Sequence, residues 1–162
     1  MRAVLLGRSP RLTGYLCGLS IGLSLLVIGL EAGRVSLTDL STTQYRLYVA
    51  IGVFTGVLFS FVVGYLNGGL LASWTMGSIP AAGRLADLFV SGSLSTLPTT
   101  LCSSLGIGVF LGTLGYVIAI EKHRSDARSA TLPPVISRGD LLRAVGLSTV
   151  VAGVLFGLGL LL

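Results

Sequence analysis

Long apolar runs separated by short charged clusters organise this chain. Uncharged stretches cover Leu12–Leu30, Leu47–Gly83, Leu88–Ile120 and Ala144–Leu162. A helix needs about 20 apolar residues to cross the hydrocarbon core of a bilayer. The outer two stretches fit one span each. The inner two are longer than a span and have to be divided.

Local start and stop signals divide them. Ser9-Pro10 offers an N-cap followed by proline at the first helical position, where a missing N–H costs nothing. The first helix is therefore expected over about 10–32, with Gly33 to end it. Ser41-Thr42-Thr43-Gln44 has the S-x-x-Q form of a capping box and opens a second helix over about 42–66, stopped by Asn67-Gly68-Gly69. Thr96 and Pro98 open a third, 97–120, and Ser137-Arg138-Gly139-Asp140 opens a fourth, 138–162.

Between the second and third spans lies a segment dense in breakers: Gly68, Gly69, Gly77, Pro80, Gly83, Gly92 and Pro98. Ser78 and Pro80 can start a short helix over about 79–90. On it Leu85, Leu88 and Phe89 share one face, and Arg84 and Asp87 sit three apart on another. This reads as an amphipathic helix at the membrane interface. The charged segment Glu121–Arg143, broken by Pro133-Pro134, reads as a connection between spans.

Composition agrees with this pattern. The chain has 162 residues, 52% hydrophobic and 10% charged, with a mean hydropathy of +0.92. Soluble domains carry about 25% charged residues. The numbers exclude an ordinary cytosolic enzyme, a disordered tail and a nucleic-acid-binding module. The pI near 9.8 does not reverse this, because the arginines are scattered over tails and loops without interleaved aromatics. Basic residues beside spans set topology and meet anionic headgroups. Cys17 and Cys102 fall inside apolar runs and read as small buried hydrophobes. Leu12–Leu30 is longer than the apolar core of a secretory signal, and Leu30-Glu31-Ala32 lacks a small residue at its first position, so the segment reads as a retained span.

The fold class expected is an all-α integral membrane protein, multi-pass in the cell membrane, with four transmembrane helices and a short amphipathic helix between spans two and three. Its basic residues fit this topology unevenly. With four spans, the better arrangement puts seven basic residues inside and four outside, and leaves Arg2, Arg8 and Arg11 outside. A fifth crossing by 67–82 would gather eight inside against three outside, but the breakers weigh against it.

Glycine supplies the strongest motif. The 23 glycines form seven pairs four apart: within Gly14/Gly18/Gly22, and at Gly29/Gly33, Gly52/Gly56, Gly64/Gly68, Gly108/Gly112 and Gly153/Gly157. Chance would give about three, and such spacing lets helix backbones approach closely. Gly14, Gly18, Gly22, Gly52, Gly56, Gly108, Gly112, Gly153 and Gly157 are the candidate packing positions. The Gly14/Gly18/Gly22 face is the candidate contact with another subunit. Ile51-Gly52-Val53-Phe54-Thr55-Gly56 is echoed by Ile107-Gly108-Val109-Phe110-Leu111-Gly112, which in helices this rich in Gly, Val and Phe reads as coincidence.

Thr96, Thr99, Thr100, Ser103 and Ser104 follow helical spacing and make one hydroxyl face at the start of the third span. Hydroxyls bond back to helix carbonyls or across to neighbours. The functional alternative for Thr96, Thr99, Thr100 and Ser103 is a polar lining. Trp74 and the five tyrosines read as an interfacial aromatic belt.

No carboxylate, Lys, Arg or His falls within the uncharged stretches that make up the interior of the four spans, although proton-coupled transporters and pumps usually need one. His123 stands alone in a charged loop and reads as solvated, so neither haem ligation nor a serine nucleophile has a partner. No catalytic residue, metal or cofactor is expected. The leading expectation is a non-enzymatic structural or accessory subunit, partnered by the lipid bilayer and by another membrane subunit or a second copy. A small channel or permease for a neutral or weakly polar solute, lined by Gly52, Thr99, Thr100, Ser103 and Gly106, is the alternative. A lipid-acting enzyme would have only Glu121, His123, Asp126 and the Arg84/Asp87 pair to use.

Overall fold

The computed structural model describes residues 2–33, 41–92, 94–129 and 136–161. Pro133-Pro134 and Leu162 lie outside the described residues, as do the side chains of Asp87 and Phe89. Among the described residues the fold is all helix: α1 (Arg2–Leu6), α2 (Pro10–Ala32), α3 (Thr42–Asn67), α4 (Leu70–Gly77), α5 (Ile79–Ser91), α6 (Leu97–Ser129) and α7 (Arg138–Leu161), with a 3₁₀ turn at Leu94–Thr96. Four helices, α2, α3, α6 and α7, are long and apolar enough to cross a membrane, as in a multi-pass membrane protein.

The caps behave as the local sequence predicts. The Ser9 hydroxyl accepts from Leu12 N at 3.4 Å, with Pro10 at N1. Ser41 makes a complete capping box: Gln44 N donates to its hydroxyl at 3.3 Å and its own N–H donates to Gln44 Oε1 at 2.9 Å. Gly68, at φ +67°, takes the left-handed conformation that closes α3, which favours a residue without Cβ. At α7 the box is altered. Asp140 N donates to the Ser137 hydroxyl at 3.1 Å, and that hydroxyl donates to the Asp140 carboxylate at 2.8 Å. Aspartate is one methylene shorter than glutamate and meets the hydroxyl.

Three elements depart from the expectations. First, α1 is an added helix whose Val4 is buried against Leu70, Tyr116, Ile120, Ile136, Leu141 and Ala144. Second, the charged segment after Ile120 is not a loop, because α6 continues to Ser129. Helical spacing lets its charges pair, Lys122 with Asp126 at 2.7 Å and Glu121 with Arg124. Third, the breaker-rich segment holds two helices.

These two helices sit in the middle of the molecule. In α4, Leu70, Ala72 and Ser73 are fully buried, and Met76 and Gly77 are buried. In α5, Ile79, Ala81, Ala82, Gly83, Ala86 and Leu88 are buried. Around them pack α2, α3 and α6, while α7 packs on the far side of α6. Helix α2 meets α4 and α5 rather than α3 along most of its length. The core is thus a helix of small residues held inside a ring of apolar ones.

Candidate functional site

Small residues let the central helix sit where it does. A Cβ added at Gly77 would stand 2.5 Å from Gly108 O and from Gly112 N. One at Gly108 would stand 2.5 Å from Ser78 Cβ, and one at Gly112 would stand 2.5 Å from Ser73 O and Trp74 Cα. From α3, a Cβ at Gly56 would stand 3.2 Å from Pro80 Cγ and 3.4 Å from Gly77 O, and one at Gly52 would stand 3.4 Å from Pro80 Cβ. The echoed hexapeptides therefore both bring their glycine pairs against the α4–α5 segment, although Gly56 is nearest to Leu111 of α6, at 2.9 Å from an added Cβ.

A column of buried polar side chains accompanies these contacts. At its head is Asn67, fully buried at the end of α3. Its Oδ1 accepts from Ser9 N at 3.0 Å, and its Nδ2 donates to Thr13 Oγ1 at 2.6 Å and Leu6 O at 3.3 Å. Its carbonyl accepts from Arg8 N at 2.8 Å, in the gap left by Gly7 at φ +65°. Asn67 thus ties the α1–α2 corner to the α3–α4 turn. Further along, Ser60 Oγ donates to Gly56 O and Ser73 O at 2.7 and 2.8 Å, and Ser73 Oγ donates to Gly69 O at 3.1 Å. Ser20 donates to Cys17 O at 2.8 Å and Ser104 to Ala81 O at 3.3 Å. Every one of these donors is used within the chain.

The other candidate glycines stand apart from this core. Among the described residues, Gly14, Gly18 and Gly22 on α2, and Gly153 and Gly157 on α7, have nothing within 4 Å of an added Cβ. The α2 glycines form an outward strip beside Tyr15, Leu19 and Ile21, whose exposures are 77%, 54% and 59%. Spacing alone could not separate inward from outward glycines, because both sets repeat every four residues.

The hydroxyl face of α6 does not gather into one lining. Thr96 is exposed at the helix start. Thr99 O and Ser103 N lie 3.4 and 3.5 Å from a Cβ added at Gly159 of α7, and Ser103 Oγ donates to Thr100 O at 3.1 Å. Gly106 meets the Phe156 ring, again on α7, while Gly52 meets α5. On the opposite flank of α6, a mostly apolar cleft of about 140 Å³ opens between Ser24 and Ile28 of α2, Ser78 and Leu85, and Leu101 and Ser104 of α6.

The aromatic residues correct the belt expectation. Tyr15 and Tyr45 are exposed, but Trp74 lies within the bundle and donates from Nε1 to Thr113 Oγ1 at 3.0 Å. Tyr116 is fully buried in the cluster under α1, and its hydroxyl has no hydrogen-bond partner among the described residues. Tyr48 reaches Gly83.

A polar cluster caps the end of the molecule where α3 finishes. His123 stacks on Tyr65, with ring centroids 4.1 Å apart and planes 3° from parallel, and its Nε2 is hydrogen-bonded to Tyr65 O. The ring is half-buried rather than solvated. Tyr65 Oη donates to Asp126 at 3.0 Å. Glu121 turns instead to Arg124, which is buried and donates to Ile136 O at 3.0 Å. Of the three groups weighed for lipid chemistry, His123 and Asp126 thus meet at Tyr65, while Glu121 engages Arg124. Arg84, the fourth, is exposed on α5. Among the described residues no three His, Cys, Asp or Glu side chains are grouped to hold a metal ion. Comparison with protein-family models, with curated proteins and with solved structures found no match to this chain.

Proposed function

We propose that this chain is a non-enzymatic membrane subunit that acts through helix packing, with the Gly14/Gly18/Gly22 face of α2 as its contact for another membrane subunit or a second copy. The observation that carries this reading is the division of the glycines. Those on α3, α4 and α6 are met by neighbouring helices, and an added Cβ at Gly14, Gly18 or Gly22 of α2 meets nothing within 4 Å among the described residues. Without a hydrophobic drive between helices in lipid, close backbone approach is what such a strip offers a partner helix. The buried serines, Thr13 and Asn67 support the same reading, because their donors are already used and none is left over to line a path for a solute.

The test is the mass of the complex purified in mild detergent, with identification of its subunits, for the parent chain and Gly18→Leu. Leucine at Gly18 meets open space, so the fold is retained. Loss of the partner, or a fall to a single chain, is the expected result. An unchanged complex, or a parent that is itself a lone chain, overturns the proposal and makes solute flux in proteoliposomes the next assay.

A further inference from the structure

We infer that α4 and α5 together form a fifth, kinked membrane span, which places the Asn67 end of the bundle in the cytoplasm. The register against α3 carries the argument. Ser73 pairs with Ser60, Gly77 faces Gly56, Pro80 faces Gly52 and Gly83 faces Tyr48. As the α4–α5 number rises, the α3 number falls, from one end of α3 to within a few residues of the other. The same order appears on α6, where Ser73 and Trp74 meet Gly112, Ser78 meets Gly108 and Ala81 accepts from Ser104. On α2 it runs parallel: Gly69 beside Thr13, Thr75 beside Cys17, Gly83 beside Val27 and Glu31. A helix that accompanies three spanning helices along their length spans with them.

Length agrees. From Leu70 to Ser91 the two helices and their Ser78 link rise about 33 Å at 1.5 Å per residue. The hydrocarbon core is about 30 Å thick. The link costs little. Pro80 supplies no N–H, but Ser78 N still donates to Trp74 O at 3.2 Å and Ser78 Oγ donates to Thr75 O at 2.7 Å. Broken helices are tolerated at membrane depth where protein surrounds them. The breakers that argue against a span are the residues that let this one be enclosed.

Charge agrees independently. Five crossings bring Arg2, Arg8 and Arg11 to the same side as Lys122, Arg124, Arg128, Arg138 and Arg143. Only Arg34 and Arg46 fall on the other, joined by Arg84, which lies exposed in the outer half of α5, where a long basic side chain snorkels to the headgroups. Eight against three is the bias of a cytoplasmic face, and it resolves the conflict that four spans leave at the N-terminal arginines. That face then meets the anionic headgroups of the inner leaflet.

The experiment labels single cysteines with a membrane-impermeant maleimide, in right-side-out and inverted vesicles. The background carries Cys17→Ala and Cys102→Ala, and the probes are Ala3→Cys, Thr43→Cys, Ser95→Cys and Ser125→Cys, all at exposed positions. Only variants eluting with the parent protein in detergent are read. A reporter fused after Leu162 gives a second, independent measure. Five crossings predict Ala3→Cys and Ser125→Cys reacting from the cytoplasmic side, Thr43→Cys and Ser95→Cys from the outside, and the reporter outside. Ser125→Cys siding with Thr43→Cys, or the reporter siding with residue 3, overturns the fifth span. Ala3→Cys and Ser125→Cys reacting together from the outside overturns the assigned side.

Discussion

Gly77 on α4 and Gly112 on α6 are in backbone contact, so close that a Cβ on Gly77 would lie 2.9 Å from the Gly112 Cα. Neither side has a flexible side chain that could give way. Overpacking a well-filled interior costs about 1–3 kcal/mol, and more where backbone must move. Gly77→Ala, whose Cβ would stand 2.5 Å from Gly108 O and Gly112 N, is therefore expected to lower the apparent melting temperature in detergent by several degrees. Gly18→Ala, whose Cβ meets nothing within 4 Å, serves as the comparison and should melt with the parent. Equal melting of the two variants would contradict the contact.

Asn67→Leu is expected to loosen the N-terminal corner. The side chain accepts from Ser9 N and donates to Thr13 and Leu6, all in a buried setting. A buried polar group left without a partner costs about 1–3 kcal/mol. Limited trypsin digestion should cut faster at Arg8 and Arg11, both exposed beside this corner. Thr13→Val removes the hydroxyl that accepts from Asn67 Nδ2 and should fall between the parent and Asn67→Leu. Unchanged cleavage in Asn67→Leu would mean that α1 is held by Val4 packing alone.

These two sites show which features the sequence displayed. The starts of α2 and α3 were legible because capping is local: Ser9-Pro10 and the Ser41–Gln44 box each act within one turn, whereas α5 starts with Pro80 in its first turn and no side-chain cap from Ser78. The four helices long and apolar enough to cross a membrane were legible because each is a long apolar run in the sequence. The segment 70–91 hid from that criterion because its neighbours are protein, so Ala72, Ser73, Gly77 and Ala82 serve it better than leucine. The charged end of α6 hid because charge was read as loop, whereas Lys122 and Asp126 pair one turn apart. Among the glycines, the spacing was visible but the neighbour was not. Gly52, Gly56, Gly108 and Gly112 face the central helix, and Gly14, Gly18, Gly22, Gly153 and Gly157 do not.

Arg124 is the clamp on the long end of α6. It is buried, pairs with Glu121 and donates to Ile136 O just before α7. Arg124→Ala should raise hydrogen exchange over 121–129 and weaken the seat of Ile136 and Leu141. Glu121→Gln should do much less. Its side chain is 52% exposed, and such pairs are worth about 0–1 kcal/mol. Equal effects would locate the clamp in the ion pair instead of the bond to Ile136.

Trp74 reports on the depth of α4. It is the chain's single tryptophan, so emission arises from one place. Its Nε1–H is taken by Thr113, and its backbone abuts Gly112. In the five-span arrangement inferred above it sits between the Asn67 turn and the Ser78 link, part of the way down the span and away from the headgroups. Emission is therefore expected to resist aqueous iodide and to be quenched more by lipids brominated toward mid-chain than by a headgroup quencher. Thr113→Val frees the indole N–H without moving α4 and should shift the emission while leaving that depth order intact. Stronger quenching from the headgroup region would place α4 at the interface, and the central helix would then lie along the membrane rather than through it.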